Sequence, residues 1–337
     1  HYMSNIIADM ISEKGFLLAD GATGTNLFNL GLEAGEPPEF WNLNEPDKIR
    51  SLYQGSVDAG SDLFLTNSFG GNASRLKLHN SEDQAYELSF AASKLGREVA
   101  DKSGRNVLVA GSIGPTGDIM GDAGWLSHND AVKVFQVTAQ GLIDGGADVL
   151  WLETISSPEE YIAASEAIES INAPWVGTMS FDTAGRTMMG VTSHDMSNLV
   201  RNMQYGPIAY GANCGVGASD LLRTVLGLSE KSDRPIIAKG NAGIPKYVEG
   251  HIHYDGTPEV MSDYALLARA CGASIIGGCC GTMPIHLKAM RYALDNNPVG
   301  DVPSLDQISK SLGPFSSETD GTGDGPKPVR VRRGQRK

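Results

Sequence analysis

Four cysteines fall in the second half of a 337-residue chain, at positions 214, 271, 279 and 280. Two are adjacent within Gly277-Gly278-Cys279-Cys280-Gly281, and Cys214 follows Asn213. Three thiolates gathered at one point suit zinc with its fourth position left for an exchangeable ligand, whereas structural zinc is normally closed by four protein ligands. Adjacent residues of a strand point to opposite faces, so Cys279 and Cys280 share a metal only if the flanking glycines bend the chain. We therefore expect Cys214, Cys279 and Cys280 to be the metal ligands, with Zn2+ as cofactor. Cys271 ends a helical stretch on the face of Leu267 and Ala268 and reads as core. An adjacent thiol pair also suits thiol-disulfide exchange, and buried cysteines are often inert. A redox reading and a non-catalytic zinc-binding reading therefore stand beside the catalytic one.

Two carboxylates sit where a cation would be needed. Asp20 opens Asp20-Gly21-Ala22-Thr23-Gly24-Thr25, whose small residues let a ligand approach backbone amides while Asp20 offers an anion to an ammonium group. A turn with a capping Asp is equally consistent with that stretch. It lacks the Gly-Lys-Ser/Thr of a phosphate-binding loop. Glu153 interrupts the apolar run Leu150-Trp151-Leu152-Glu153-Thr154. A charge buried there needs a partner, either a substrate ammonium or a salt bridge to Lys239 or Arg186. His251-Ile252-His253 has no third histidine at ligand spacing and reads as a loop insertion. His79, His128, His194 and His286 read as capping or solvated residues.

The elements that must position these groups alternate along the chain. Short apolar runs recur at 16–19, 62–66, 107–111, 149–153, 175–180, 208–214, 235–239 and 274–279, each ending in a small or polar residue. Helical periodicity separates them over 46–59, 82–102, 130–145, 158–171 and 258–270. Runs apolar at nearly every position suit strands buried on both faces, and eight strand-helix units argue for a closed parallel (β/α)8 TIM barrel over an open sheet. No run is followed by the GxGxxG of a dinucleotide fold. Polar residues at the carboxyl ends of barrel strands converge on one face. Those strand ends are Asp20 and Gly21, Thr66 and Asn67, Gly114, Glu153, Ser180, Asn213 and Cys214, Asn241, and Cys279 and Cys280.

Composition limits the partners. The net charge of -13 offers no basic field to nucleic acid or to an anionic membrane. No run approaches the roughly 18 apolar residues of a membrane span, and no export signal opens the chain, so a cytoplasmic location is expected. His1 and Tyr2 precede Met3 and are set aside as a cloning remnant. The barrel body should close near Asn296, with one more helix over 304–312. From 313 to 337 the chain turns to Gly, Ser, Asp and Pro and then to Lys and Arg, a composition expected to be a disordered basic C-terminal tail.

The motifs in order, Asp20-Gly21 with Thr23-Gly24-Thr25, Leu65-Thr66-Asn67-Ser68-Phe69, Gly114-Pro115-Thr116-Gly117, Glu153-Thr154, Gly211-Ala212-Asn213-Cys214, Asn241-Ala242-Gly243 and Gly277-Gly278-Cys279-Cys280-Gly281-Thr282, resemble the homocysteine S-methyltransferase family. The likeness runs from about Phe16 to Asn296 and is greatest to the bacterial betaine-homocysteine methyltransferases. It implies a homocysteine-binding barrel over 3–312, zinc on Cys214, Cys279 and Cys280, and homocysteine sulfur at the open position. It implies further that Asp20 and Glu153 hold the substrate ammonium, and that backbone around Gly21, Thr66 and Asn67 receives its carboxylate.

The same resemblance makes glycine betaine the first expected methyl donor, held by Trp41, with Tyr247, Tyr254 and Trp125 as further aromatic candidates. Positions where the animal betaine enzymes carry tyrosine are here Thr154 and Gly70. The alternatives are a sulfonium donor, such as dimethylsulfoniopropionate or S-methylmethionine, and a separate methyl-corrinoid protein. Small molecules are the expected partners, with no nucleic acid and no membrane; a homo-oligomer is left open.

Overall fold

Each of the eight apolar runs becomes a strand. The computed structural model describes residues 5–121 and 124–323. Its strands are β1 (Leu17–Leu18), β2 (Leu63–Leu65), β3 (Leu108–Ile113), β4 (Val149–Ile155), β5 (Trp175–Met179), β6 (Tyr210–Asn213), β7 (Ile236–Gly240), β8 (Pro245–Val248), β9 (His251–Tyr254) and β10 (Ala273–Gly278). Eight of them pair in parallel in the order β1, β10, β7, β6, β5, β4, β3, β2. The ends of that order meet where the Asp62 amide donates to Leu18 O at 2.7 Å and Asp62 Oδ2 accepts from the Leu18 amide at 2.8 Å. The protein is therefore a TIM barrel, as the alternation requires.

Strand alternation sorts the core into two shells. Leu17, Leu65, Ala110, Trp151, Val176, Ile237 and Ile275 fill the barrel interior, and Ile7 and Met10 of the helix Ile6–Lys14 join them. The opposite strand faces meet the helices through Leu18, Leu152, Tyr210, Ile236 and Ile276. Helices form where periodicity predicts: Pro46–Ala59, Ala85–Lys102, His128–Gly145, Pro158–Ser170 and Pro258–Ala270. Ser127, Ser157 and Thr257 cap three of them by accepting a backbone amide. Cys271 is buried beyond Ala270, as core.

Two features depart from the sequence reading. The loop insertion around His251 and His253 is a hairpin of β8 and β9, paired through Tyr247 and Ile252. The segment from Gly313, expected to be disordered, contacts the barrel as far as Gly321. Ser219 Oγ donates to Gly313 O at 2.6 Å, Ser316 donates to Asp220, and Arg223 donates to Ser317 O at 3.1 Å. Composition misled here because the partners are a buried Arg and Asp on a distant helix, Ala218–Lys231. The basic stretch from Lys327 lies outside the described residues. No helix among the described residues is long and apolar enough to cross a membrane.

Candidate metal centre and active site

The three predicted cysteines converge. Cys214 Sγ lies 2.7 Å from Cys279 Sγ and 3.9 Å from Cys280 Sγ, and all three sulfurs fall within 4.8 Å of one another. Tetrahedral zinc with Zn–S near 2.3 Å spaces its thiolates by about 3.8 Å; the Cys214–Cys280 separation meets that spacing and the Cys214–Cys279 separation is shorter, so the cluster matches the donor set in type and closes on it in span. Among the described residues, no other group of His, Cys, Asp and Glu meets the same test.

Backbone geometry makes this possible at both strand ends. Cys214 has φ +56°, a left-handed conformation uncommon for a side chain with a Cβ, and its amide donates to Lys239 O at 3.0 Å. At the end of β10 the Cys279 amide donates to Gly240 O at 2.7 Å and the Thr282 amide returns to Cys279 O at 3.1 Å, turning the chain through Gly281 at φ +79°. Asn241 joins the two turns: its Oδ1 accepts from the Cys280 amide at 3.0 Å and its Nδ2 donates to Gly215 O at 3.3 Å.

Closely packed thiols cannot all ionise. Hydrogen bonds from Cys214 and Cys279, helped by Tyr254, draw the Cys280 thiol down to about 3. Cys279 is pushed well up by its hydrogen bonds to Cys214 and Cys280 and by burial. Three thiolates this close repel one another, and a divalent cation is what allows them to coexist there.

The carboxylates are also brought to this end of the barrel, but they are not equivalent. Glu153 sits at a register shift in β4, followed by Thr154 at φ +63°, and its Oε2 accepts from Ser112 Oγ at 2.8 Å. Burial raises its pKa, while the charge of Lys239 and the Ser112 hydrogen bond work downward. Asn213 fixes this kink: its Oδ1 accepts from the Thr154 amide at 3.0 Å and its Nδ2 donates to Thr154 Oγ1 at 2.8 Å. Asp20 is buried and takes Lys239 Nζ at 2.6 Å on Oδ1 and the Leu65 amide at 3.0 Å on Oδ2. Although burial pulls the Lys239 ammonium down, Asp20, Glu153 and Cys279 together raise its pKa, so it carries its charge. The cation Glu153 was expected to meet is therefore given to Asp20, while Arg186 donates to Gly321 O at 2.9 Å.

Two of the expected backbone contacts already have partners within the fold. The Thr66 amide is spent on Ala110 O and the Asn67 amide on Tyr53 Oη, and both residues are 1% exposed. Neither amide is free to receive a carboxylate, which leaves the backbone at Gly21 from the expected set. Gly21 packs so tightly on Thr282 that a Cβ there would lie 2.5 Å from Thr282 O.

Trp41 is buried. Its indole Nε1 donates to Glu36 at 2.8 Å, Lys48 lies 4.6 Å over its ring, and it packs with Leu27, Leu32 and Ile49 in a core cluster. Its short helix, Trp41–Asn44, follows the 3-10 turn Pro38–Phe40, and the residue is 4% exposed. Trp125 and Tyr247 are strongly exposed, whereas Tyr254 lies against Cys280, and its partial burial, followed by the nearness of Cys280, raises the phenol pKa. Ser112 was not singled out in the sequence, since a serine inside an apolar strand carries no motif.

Comparison with known proteins places this geometry. The family model described as homocysteine S-methyltransferase matches residues 17–294. A methionine synthase of Mycobacterium tuberculosis is 27% identical over 94% of this chain, and this chain spans 28% of that protein's length. Among solved structures, the metallated form of the homocysteine methyltransferase MmuM from Escherichia coli superposes with a TM-score of 0.72 at 22% identity, covering 85% of this chain and 99% of the other. Its oxidized form gives 0.68 at 24% identity, covering 85% and 98%. At these identities the structures report on the fold.

Proposed function

The chain belongs to the homocysteine S-methyltransferase family, and from that premise we propose that it methylates homocysteine to methionine with zinc held by Cys214, Cys279 and Cys280. The observation that carries this reading is the convergence of three sulfurs within 4.8 Å from two separate strand ends, beside the carboxylate of Glu153. Zinc, when bound, lowers the pKa of a coordinated thiol and so supplies a nucleophile at neutral pH. The residues of the chain do the rest. Glu153 receives the substrate ammonium, the backbone at Gly21 remains for its carboxylate, and Asn213 and Asn241 keep the two cysteine turns in place. The thiolate attacks the donor's methyl carbon in line: a carbon–sulfur bond forms as the methyl–donor bond breaks, and that electron pair leaves with the demethylated donor. The thiol proton goes to solvent. Positioning of the two reactants is the chain's main contribution.

For the donor we assign a small onium compound, its charged methyl facing the ring of Tyr254, which lies beside Cys280. With Trp41 in the core, the reading of glycine betaine rests on the family likeness and on this single ring. The test is metal analysis of the purified protein, with about one zinc per chain expected and its loss on chelation. A methionine assay follows, with homocysteine and, in turn, glycine betaine, dimethylsulfoniopropionate and S-methylmethionine. Turnover only with a methyl-corrinoid protein would remove the onium assignment. A protein that holds no zinc and turns over with none of these would remove the whole reading.

A further inference from the structure

If Asp20 and Glu153 both held the substrate ammonium, as the family likeness implies, one cation would meet two negative charges; the structure supplies a second cation from the chain itself, Lys239. Lys239 follows the inward-facing Ile237 by two residues on β7, so strand alternation aims it into the barrel, level with Asn213 and Gly277 on the neighbouring strands. Its Nζ lies 2.6 Å from Asp20 Oδ1, and the two side chains are 6% and 7% exposed. The ring of Trp151 lies 5.6 Å from the same nitrogen. The other oxygen of Asp20 holds the Leu65 amide. Both oxygens of Asp20 are thus engaged within the fold. Glu153 has one oxygen on Ser112, and among the described residues no ion-pair partner lies within 4.0 Å of it.

We propose that Lys239 is a built-in ammonium that occupies Asp20, so that the amino group of the thiol substrate is recognised by Glu153 alone. One lysine between two carboxylates leaves a single net negative charge, which one substrate ammonium neutralises. Without Lys239 the same ligand would leave an uncompensated buried anion, an arrangement proteins avoid. Lys239 is in this sense a specificity residue: it withdraws Asp20 from the substrate and fixes the charge the site can accept. The inference rests on the assignment of homocysteine as acceptor and departs from the family expectation that both carboxylates hold the ammonium.

The test compares two ligands that share a thiol and a carboxylate, homocysteine and 4-mercaptobutanoate, which lacks the amine. Their affinities for the zinc-loaded full chain are measured by calorimetry, with no methyl donor present. The wild type should prefer homocysteine by roughly tenfold to hundredfold, the usual range for a charge-assisted hydrogen bond. Glu153→Gln should bring the ratio to about one. The neutral pair Asp20→Asn with Lys239→Met should keep the preference, whatever happens to absolute affinity. Loss of the preference in that double variant, as in Glu153→Gln, would overturn the proposal.

Should the neutral pair fail to fold, Glu153→Gln combined with Lys239→Met decides. Asp20 is then freed, and part of the homocysteine preference should return; no return overturns the proposal. A wild type that binds neither thiol, or both equally, removes the acceptor assignment and this inference with it. Failure in the variants alone leaves that assignment standing.

Discussion

The side-chain amide of Asn213 does for the site what no cysteine can do for itself. Its oxygen accepts from the Thr154 amide and from Thr178 Oγ1 at 2.6 Å, its nitrogen donates to Thr154 Oγ1, and its own carbonyl accepts from Ser180 Oγ at 2.9 Å. It thereby holds two left-handed residues, Thr154 and Cys214, each of which costs about 1–3 kcal/mol if unsupported. Asn213→Ala should leave all three cysteines in the chain yet weaken zinc binding by roughly tenfold to hundredfold, the usual loss when support around metal ligands is removed. Competition with a chelator would measure it, and unchanged affinity would show that Cys214 keeps its geometry unaided.

The cysteines and the Asn-Cys pair were legible in the sequence, because residue type and position at a strand end are enough to nominate them. The clamp was not, since a positive φ at a threonine leaves no trace in residue type. The surroundings of Trp41 were illegible for a related reason. An aromatic in the first loop satisfies the family pattern, but the direction of its ring is decided by Leu27, Leu32, Ile49 and Lys48, which meet it only in the fold.

Among the elements, the strands were the most legible because a parallel strand buried on both faces reads as an uninterrupted apolar run. The β8 and β9 hairpin was not. Its residues are largely exposed, with Lys246, Glu249, His251 and His253 mixed among Tyr247 and Ile252, so no periodicity marks it. Yet it brings Tyr254 against the turn that follows β10. A Cβ on Gly281 would collide with the Tyr254 side chain, and the residue also sits at φ +79°. Gly190 offers the matched comparison, with φ +87° and open space around it.

Gly190→Ala should therefore cost only backbone strain, about 1 kcal/mol, with zinc retained. Gly281→Ala should cost more than that and also displace Tyr254 from Cys280. Melting temperature and zinc content measured on the two variants together separate strain from displacement. Equal losses in both would show that the Tyr254 contact contributes nothing.

At the scale of the molecule, the segment after Gly313 turns a helix of the barrel into an anchor. Arg223 and Asp220 on Ala218–Lys231 form a pair at 3.4 Å with side chains 8% and 7% exposed. Arg223 donates to Ser317 O and Thr319 O, Phe315 stacks 4.5 Å from its guanidinium, and Asp220 accepts from the Ser316 amide. Farther on, Gly321 O accepts from Arg186 in the loop after β5. A buried ion pair stabilises only when its remaining donors and acceptors are satisfied, and here the segment satisfies them. Deleting the chain from Gly313 should therefore expose Arg223 and Asp220 and lower stability by about 2 kcal/mol or more, given the charge-assisted hydrogen bonds lost. In thermal unfolding that corresponds to a fall of roughly 4 °C or more. Zinc content should be unchanged, because no residue of the segment belongs to the cysteine cluster. Arg223→Met in the full chain provides the second arm, since it removes the same hydrogen bonds while keeping the segment. A melting temperature lowered by Arg223→Met but untouched by the deletion would mean that the ion pair is sufficient in itself and that the segment merely rests on it.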